Sequence, residues 1–535
     1  MRITNKIIQN NAITNINANK VLEDKYNNQL ATGSKINRPS DDPVVAIRAL
    51  RLRTNLSEVQ QYYTKNVPDA RSWLKITESA IASVIGVIED MYSDCTTGSV
   101  GFKTAEDRQK ILENMKGLRD EIYAVGNAES AGRYVFTGYR TDLSLAFQSK
   151  TQQKYSITEQ VGIGRLENAT YVDTAGLENL TASTAATDPA TEFDVTTNSY
   201  HRMRLSYKDC SNDKNVAPTI QYYDSTGTLQ TITATVASKY DDPSTTYLAY
   251  ADDTGTTPSA IFIPETGELI LNDAAYNALN SVKDMPGTKD AEGNEINEGE
   301  IRITYQKEEW NKNDLRPEHF FYCEKYTGEL ADPTDPTSPE KTQVYNPGYL
   351  TNQLDDDTRQ IIAYDVGFGQ EMRVNTLASE VFSHAIGRDL EEMIAAVEEV
   401  IQMEGIASQL EGMIAKETDE DTIAALEEKL KAVNKSLTYL NDKMQKMFEG
   451  GISKTQGYLD KANSANTTVG NRGSRLDLIE NRLSSQESDF KTLAEENEGA
   501  DVTEVAVQLQ SIELTYNAAL MATGKITQTS LLNYL

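Results

Sequence analysis

Residues 40–63 read SDDPVVAIRALRLRTNLSEVQQYY, and their reading decides the fold. Ser40-Asp41-Asp42 supplies capping side chains, and Pro43 takes a first helical position, where its missing N–H costs nothing. From there an apolar-leaning seam runs Leu52, Leu56, Val59, Tyr63, Asn66, Ala70, Trp73, Thr77, Ala80, Val84, Val87, Met91. Its steps alternate four and three, the 3.5-residue period of a coiled-coil seam. Pro68 interrupts the run and predicts a kink or break near Asn66. After a turn at Gly98–Gly101, Ile111, Met115, Leu118, Ile122 and Val125 continue the alternation in a second helix.

The carboxyl-terminal third behaves alike. Leu476, Ile479, Leu483, Gln486, Phe490 and Leu493 form one seam. Val505, Leu509, Ile512, Tyr516, Ala519, Thr523 and Ile526 form another, after a stop at Gly499-Ala500-Asp501. A further helical stretch over 404–448 carries Ile423, Leu426, Leu430, Val433, Leu437, Leu440, Met444 and Met447, with a chain turn expected at Glu417–Asp421. One such seam describes an ordinary bundle helix. Four of them, two near each end of the chain, predict an antiparallel bundle that brings the termini together.

Between these arms the pattern changes to period two. Ile261-Phe262-Ile263 and Leu269-Ile270-Leu271 flank Pro264-Glu265-Thr266-Gly267 as a hairpin. Ile220 and Tyr222 precede an Asp224–Gly227 turn, after which Ile232, Ala234 and Val236 alternate, as do Ile301, Ile303 and Tyr305. Residues 331–340 are loop by composition. The expected fold is mainly α with β. Amino- and carboxyl-terminal helices form an antiparallel coiled-coil core, and a β-rich domain is inserted between them. The expected division is a terminal-helix segment (1–42), half of the core (43–140), a β-rich variable insertion (141–370), the second half of the core (371–500) and a last terminal helix (501–535).

Charge follows this division. Residues 1–140 carry 19 Lys and Arg against 16 Asp and Glu, residues 141–370 carry 17 against 37, and residues 371–535 carry 15 against 28, within a net charge of −30. A surface this acidic repels phosphate backbones and anionic lipid, so nucleic acid and membranes are not expected as partners. No run of apolar residues is long enough for a transmembrane helix, and the amino terminus lacks the apolar core of a Sec-type signal. Three widely spaced cysteines (Cys95, Cys210, Cys323) make no disulfide framework or metal knuckle, and only His201, His319 and His384 are present for imidazole chemistry. The composition is that of binding or building material.

Particular residues carry a family resemblance. Met1-Arg2-Ile3-Thr4, then Gly33-Ser34-Lys35-Ile36-Asn37-Arg38-Pro39-Ser40-Asp41-Asp42-Pro43, resemble the amino-terminal region of flagellins and hook-associated proteins. Asn127 and Gly132-Arg133-Tyr134-Val135-Phe136-Thr137-Gly138 resemble the family's turn into its upper domain, and Tyr364–Gln370 with Val374-Asn375 its return. Arg475-Leu476, Glu480-Asn481-Arg482-Leu483 and Tyr516-Asn517-Ala518-Ala519-Leu520 stand where the family has its terminal helices. The form Arg38-Pro39-Ser40-Asp41-Asp42-Pro43, and the closing 528–535, are similar to the hook–filament junction members. The resemblance covers roughly 1–140 and 361–535.

What it implies is a structural subunit of the bacterial flagellum that polymerises at the hook–filament junction, extracellular and exported by the flagellar type III route without cleavage. Its implied partners are copies of itself, a neighbouring hook-associated protein, flagellin, a flagellar export chaperone and the export apparatus. Assembly is expected to run through Ile3, Ile7, Ile13, Ile16, Leu22, Tyr26, Leu30, Leu509, Ile512, Tyr516, Leu520, Ile526, Leu531 and Leu532. Ordering the first thirty residues costs more than their apolar burial returns, and backbone hydrogen bonding only brings the sum back near zero, so the segment is marginal alone and both terminal segments are expected to be largely unfolded in the free subunit. The alternatives are a filament flagellin, or a secreted adhesin or enzyme whose activity lives in 141–370.

No catalytic, cofactor or metal residues are expected. Asp253-Thr254-Gly255-Thr256 spells a single protease-like triplet, where an aspartic protease needs a buried carboxylate dyad. Glu318-His319 is followed by Phe320-Phe321, so the His-Glu-x-x-His of a zinc protease does not form. Asp355-Asp356-Asp357 lacks the alternate-residue spacing of a calcium loop, and Cys95 reads as a buried small residue.

Overall fold

The computed structural model describes residues 5–100, 104–180, 193–251, 255–282, 301–331, 338–350 and 360–532, without the side chains of Asn5 and of 526–532. Of the residues singled out above, 1–4 (Ile3 among them), Gly101, 253–254, 332–337, 355–357 and 533–535 lie outside it, as do the side chains of Ile526, Leu531 and Leu532. The helices are α1 Asn5–Thr32, α2 Pro43–Gln61, α3 Val67–Gly98, α4 Ala105–Ile122, α5 Asp273–Leu279, α6 Ala378–Val381, α7 His384–Ile414, α8 Glu420–Glu498 and α9 Val502–Leu532. The chain divides into two compact units, one of Met1–Arg71, Tyr364–Met372 and Ser474–Leu535, the other of Ser72–Ala363 and Arg373–Gly473.

In the first unit α2 starts where the capping residues put it. The Asp42 carboxylate accepts from the Val44 and Val45 amides at 3.0 and 3.2 Å, with Pro43 first in the helix. Asp41 accepts the Asn37 and Arg38 amides at 3.0 and 2.9 Å, which fixes the preceding loop and lowers the carboxyl's pKa. Helix α2 then runs antiparallel to the end of α8. Gln60 reaches Glu487 at 3.0 Å, Asn497 donates to the Val45 carbonyl at 3.2 Å, and Arg53 pairs with Glu498. Ala46, Ala49 and Val59 are buried on one side of this pair, Leu476, Ile479 and Leu483 on the other. The seam fades outward: Gln486 and Phe490 are half-buried and Leu493 is exposed.

The expected kink takes a milder form. The chain stays helical through Pro68, but Tyr62–Asn66 is a single π-helical turn in which the Val67 amide bonds to the Tyr62 carbonyl. Proline lacks an N–H and its ring crowds the carbonyl four residues back; one extra residue in the turn ahead of it relieves both.

In the second unit the predicted seam is buried from Trp73 through Thr77, Ala80, Val84, Val87 and Met91. A parallel stripe, Leu74, Ile81, Ile88 and Cys95, is buried as well, so α3 packs on more than one neighbour. Helix α4 is tied to α7 by Arg108–Glu404 and by Lys116–Glu398 at 2.9 Å. Gly98 lies under the Phe448 ring, where a Cβ would stand 2.8 Å from its carbons. The turn expected at Glu417–Asp421 separates α7 from α8.

The chain between α4 and α6 is β-rich, as the alternation at Ile220–Val236 and Ile301–Tyr305 predicts. Its strands are β1 Glu129–Ser130, β2 Arg133–Tyr134, β3 Thr151–Val161, β4 Leu166–Asp173, β5 Thr196–Arg204, β6 Thr219–Tyr223, β7 Leu229–Thr233, β8 Thr235–Val236, β9 Ala260–Ile263, β10 Glu268–Leu271, β11 Ile301–Trp310, β12 Tyr322–Leu330 and β13 Glu340–Tyr345. A hairpin of β14 Ala363–Gly367 and β15 Gln370–Arg373 follows. One sheet has the order β4-β5-β10-β9-β8, the other β13-β12-β3-β11-β6-β7. Inward residues of both, among them Tyr155, Ile303, Tyr305, Met203, Phe262 and Leu269, share one core around Trp310, which stacks on Phe147 at 4.9 Å.

This body is fixed to the helices of its own unit by buried charge. Arg204 on β5 reaches Asp389 at 2.6 Å and Glu392 at 2.9 Å on α7, and Arg202 pairs with Glu392, Glu268 and Glu167. Lys454 on α8 holds Glu167 and Asp389 at 3.1 Å each, and Tyr458 donates to Asp389 at 2.6 Å. Burial alone would raise the Glu392 carboxyl; Arg204 and Arg202 overrule it and hold it at about 2.

Candidate assembly surface

The terminal helices α1 and α9 pair within the first unit. The Gly499-Ala500 stop is clamped against the end of α1: the Lys35 amide bonds to the Glu498 carbonyl at 2.7 Å and the Ala500 amide to the Gly33 carbonyl at 2.9 Å. Asp501 then caps α9 through the Thr503 and Glu504 amides at 2.9 and 3.1 Å. With the end of α1 fastened to the start of α9, the two run antiparallel.

The pairing uses the seam that the sequence shows. Val505 is buried and Leu509, Ile512, Tyr516, Ala519 and Thr523 are half-buried, as are Ile8, Ala12, Ile16, Asn19, Glu23 and Tyr26 on α1. Of the expected assembly residues, Ile16, Tyr26, Leu509, Ile512 and Tyr516 therefore face into this pair. Ile7, Ile13, Leu22, Leu30 and Leu520 are 39–53 % exposed and remain available to a neighbour.

Sequence reading missed the most open residues. Val507, Leu514 and Met521 are 61, 73 and 72 % exposed and stand seven apart, so they share the face of α9 opposite the pairing seam. Val21, 69 % exposed, does the same on α1. The signal was a second heptad stripe, masked by the denser 4–3 seam beside it. Charge is scarce here: α9 carries only Glu504, Glu513 and Lys525 in 31 residues, so like copies meet little repulsion. Burying the open apolar residues of both helices returns about 10–20 kcal/mol gross, at about 1–2 kcal/mol for each partly exposed side chain.

The other motif residues divide into turn-makers and packers. Arg38, Pro39 and Ser40 are exposed. Leu476 is buried, Glu480 pairs with Arg71, Arg482 donates to Gln370 at 2.5 Å, and Arg475 and Asn481 face outward. The return hairpin docks in the same unit, with Phe368 edge-on to Tyr62 at 5.7 Å and Asn66 donating to the Asp365 carbonyl at 2.8 Å. In the second unit Asn127 accepts the Ala146 amide at 3.1 Å, the Tyr134 hydroxyl accepts from Gln148 at 3.0 Å, and Phe136 packs edge-on against Phe382 at 5.4 Å. Gly132 and Gly138 have φ of +76° and +61°, conformations that side chains resist. Among the described residues no group of three His, Cys, Asp or Glu could hold a metal ion, and no helix is long and apolar enough to cross a membrane.

Residues 3–141 match the family model for the bacterial flagellin N-terminal helical region. The chain is 31 % identical over 147 residues to flagellar hook-associated protein 3 of Escherichia coli (strain K12), an alignment covering 26 % of this chain and 45 % of that one. It is 24 % identical over 203 residues to flagellin of Bacillus subtilis (strain 168), covering 37 % and 66 %. It thus spans about half the length of the hook-associated relative and about two thirds of the flagellin. A solved structure of a putative flagellar hook-associated protein from Vibrio parahaemolyticus aligns with 86 % of this chain and 100 % of its own, at 12 % identity and a TM-score of 0.33, a likeness too loose to build on.

Proposed function

We propose that the protein is a structural subunit of the bacterial flagellum, placed outside the cell at the hook–filament junction and polymerising there through its terminal helices. The observation that carries this reading is the α1–α9 pair of a flagellin-type chain, in which the outer face of α9 presents an open apolar stripe on a helix with only three charges and α1 adds the exposed Ile7, Ile13, Val21, Leu22 and Leu30. A free subunit has no use for such a face; a packed layer of copies does. In this reading the antiparallel helices of the core are coiled coils, and the terminal pair is loosely ordered until neighbours cover it. Order gained on arrival suits both export through a narrow channel and tight final packing. The partners are other copies, a neighbouring hook-associated protein, flagellin, and during export a chaperone and the export apparatus.

The likeness to a flagellin as well as to a hook-associated protein favours one second reading, a filament subunit. Deleting the gene and viewing the flagella by electron microscopy separates the two. Hooks without filaments, with unpolymerised flagellin in the medium, support the junction role. Normal filaments overturn it.

A further inference from the structure

A cavity of about 280 Å³ lies in the second unit, between the start of α7, the end of α4 and the β-body segment around Asp314. Five cations line it, Arg119, Lys208, Lys307, Lys312 and Arg388, against three carboxylates, Asp120, Asp314 and Glu391. That excess of two positive charges stands in a chain of net charge −30. Glu391 serves two cations at once, Lys208 at 2.8 Å and Arg388 at 3.1 Å. Lys312 is exposed and, among the described residues, has no ion-pair partner.

Two buried donors give the cavity its character. Lys307 is 1 % exposed; its ammonium donates to the Lys208 and Asp209 carbonyls at 2.5 and 3.2 Å, and its carboxylate, Asp314, stands off at 3.8 Å. Burial holds the Asp314 carboxyl above its ordinary value, which weakens it as a counter-ion. Arg388, 9 % exposed, gives its two terminal nitrogens to the Thr266 carbonyl and to Glu391, but its Nε–H meets no acceptor among the described residues. A buried N–H without an acceptor is costly, and a ligand oxygen would satisfy it. The field agrees: α7 runs 31 residues away from the cavity, which puts its positive end at His384 and Gly387 in the wall.

We propose that this cavity is a binding site for one small oxyanion, a phosphate or sulfate group, held by Lys307, Arg388 and Lys312. The volume admits a single tetrahedral anion with a few waters. The group comes either as the free ion or as the phosphate of a sugar, and the two share the same contacts.

Isothermal titration of the full-length chain tests it, with inorganic phosphate, sulfate and glucose 6-phosphate each against chloride at equal ionic strength. One saturable site for phosphate or sulfate is expected. Heat with glucose 6-phosphate alone would still support the site and assign the anion to a sugar. Lys312→Ala sits on the surface and leaves the fold intact; it is expected to weaken binding about threefold to tenfold, the loss of one rim charge. Arg388→Lys keeps the charge and removes the Nε donor, so it separates a specific hydrogen bond from a general field and is expected to weaken binding further. Absence of saturable heat with all three anions in the folded chain overturns the proposal. So does binding of equal affinity in wild type, Lys312→Ala and Arg388→Lys.

Discussion

Leu514→Asp is expected to abolish assembly while leaving the free subunit folded. Leu514 is 73 % exposed and lies on the face of α9 turned away from α1. Its replacement therefore removes almost no packing within the chain. What remains is a helix-propensity cost of about 0.5 kcal/mol, too small to move the melting temperature by more than a few degrees. In an assembly that covers this face the sum is different. Burying the open part of a leucine is worth about 1–2 kcal/mol, and a carboxylate set among apolar side chains costs several more. A loss of about 4 kcal/mol per contact lowers the association constant about a thousandfold. The critical concentration for polymer formation, read by sedimentation of assembled from free subunit, should rise accordingly. Ile512→Asp is the contrasting variant. Ile512 is half-buried against α1, so the same chemical change should loosen the terminal pair in the monomer itself, visible as lost helicity. Assembly of Leu514→Asp at the wild-type concentration would refute the assignment of this face. A monomer as damaged as Ile512→Asp would show that α9 is already covered on both sides.

Neighbouring glycines of α8 should respond in opposite directions. A Cβ on Gly451 would meet the Met393 methyl at 2.5 Å and the Cys95 sulfur at 2.9 Å, so Gly451→Ala should cost about 1–3 kcal/mol in denaturant unfolding. Gly450 has nothing within 4 Å, and Gly450→Ala should gain up to about 1 kcal/mol from helix propensity; destabilisation there would contradict the open space. Burial pushes the His319 imidazole down to about 3 and holds His384 well below its ordinary value, so both are neutral when folded. Their contribution is complete above the unfolded value near 6.5 and is lost as pH falls below it, by up to about 1.4 kcal/mol per pH unit for each. Melting temperature should drop between pH 7 and pH 5, and a flat profile would count against their burial. Arg204→Met strands Asp389 and Glu392 with fewer cations and should cost about 3–5 kcal/mol by chemical denaturation. A neutral result would mean Lys454 and Arg202 suffice for those carboxylates.

The helices were legible because a buried stripe repeats. From Val59 to Met91 the 4–3 alternation picks out positions of which none is exposed, and the same holds from Ile423 to Met447. The hairpins were legible because turn chemistry sits between alternating residues at Asp224–Gly227 and between two short apolar runs at Pro264–Gly267. What sequence does not disclose is which side of a helix a neighbour has already taken. In α9 the seam around Ile512 and the 507–514–521 stripe are both apolar, and only the position of α1 tells the satisfied face from the open one. The anion cavity was illegible for a related reason. Lys307, Arg388 and Lys312 are ordinary cations in the sequence, and their convergence depends on β11 and α7 meeting across the 80 residues (308–387) that separate Lys307 from Arg388.

Pro68 shows why a local rule can be right about the strain and wrong about its relief. The rule predicts a kink or break from two facts, a missing donor and a crowded carbonyl, and both hold here. A break, however, would uncouple Val59 from Ala70 and expose buried surface on both sides of Asn66. A π turn costs one poorly made hydrogen-bond ring but keeps the helix axis continuous and the seam inward. At its two ends Tyr62 faces Phe368 and Asn66 reaches the Asp365 carbonyl on the return hairpin. Packing on both sides therefore selects the smallest distortion that satisfies the proline, and the residues at that distortion become the ones that hold the hairpin.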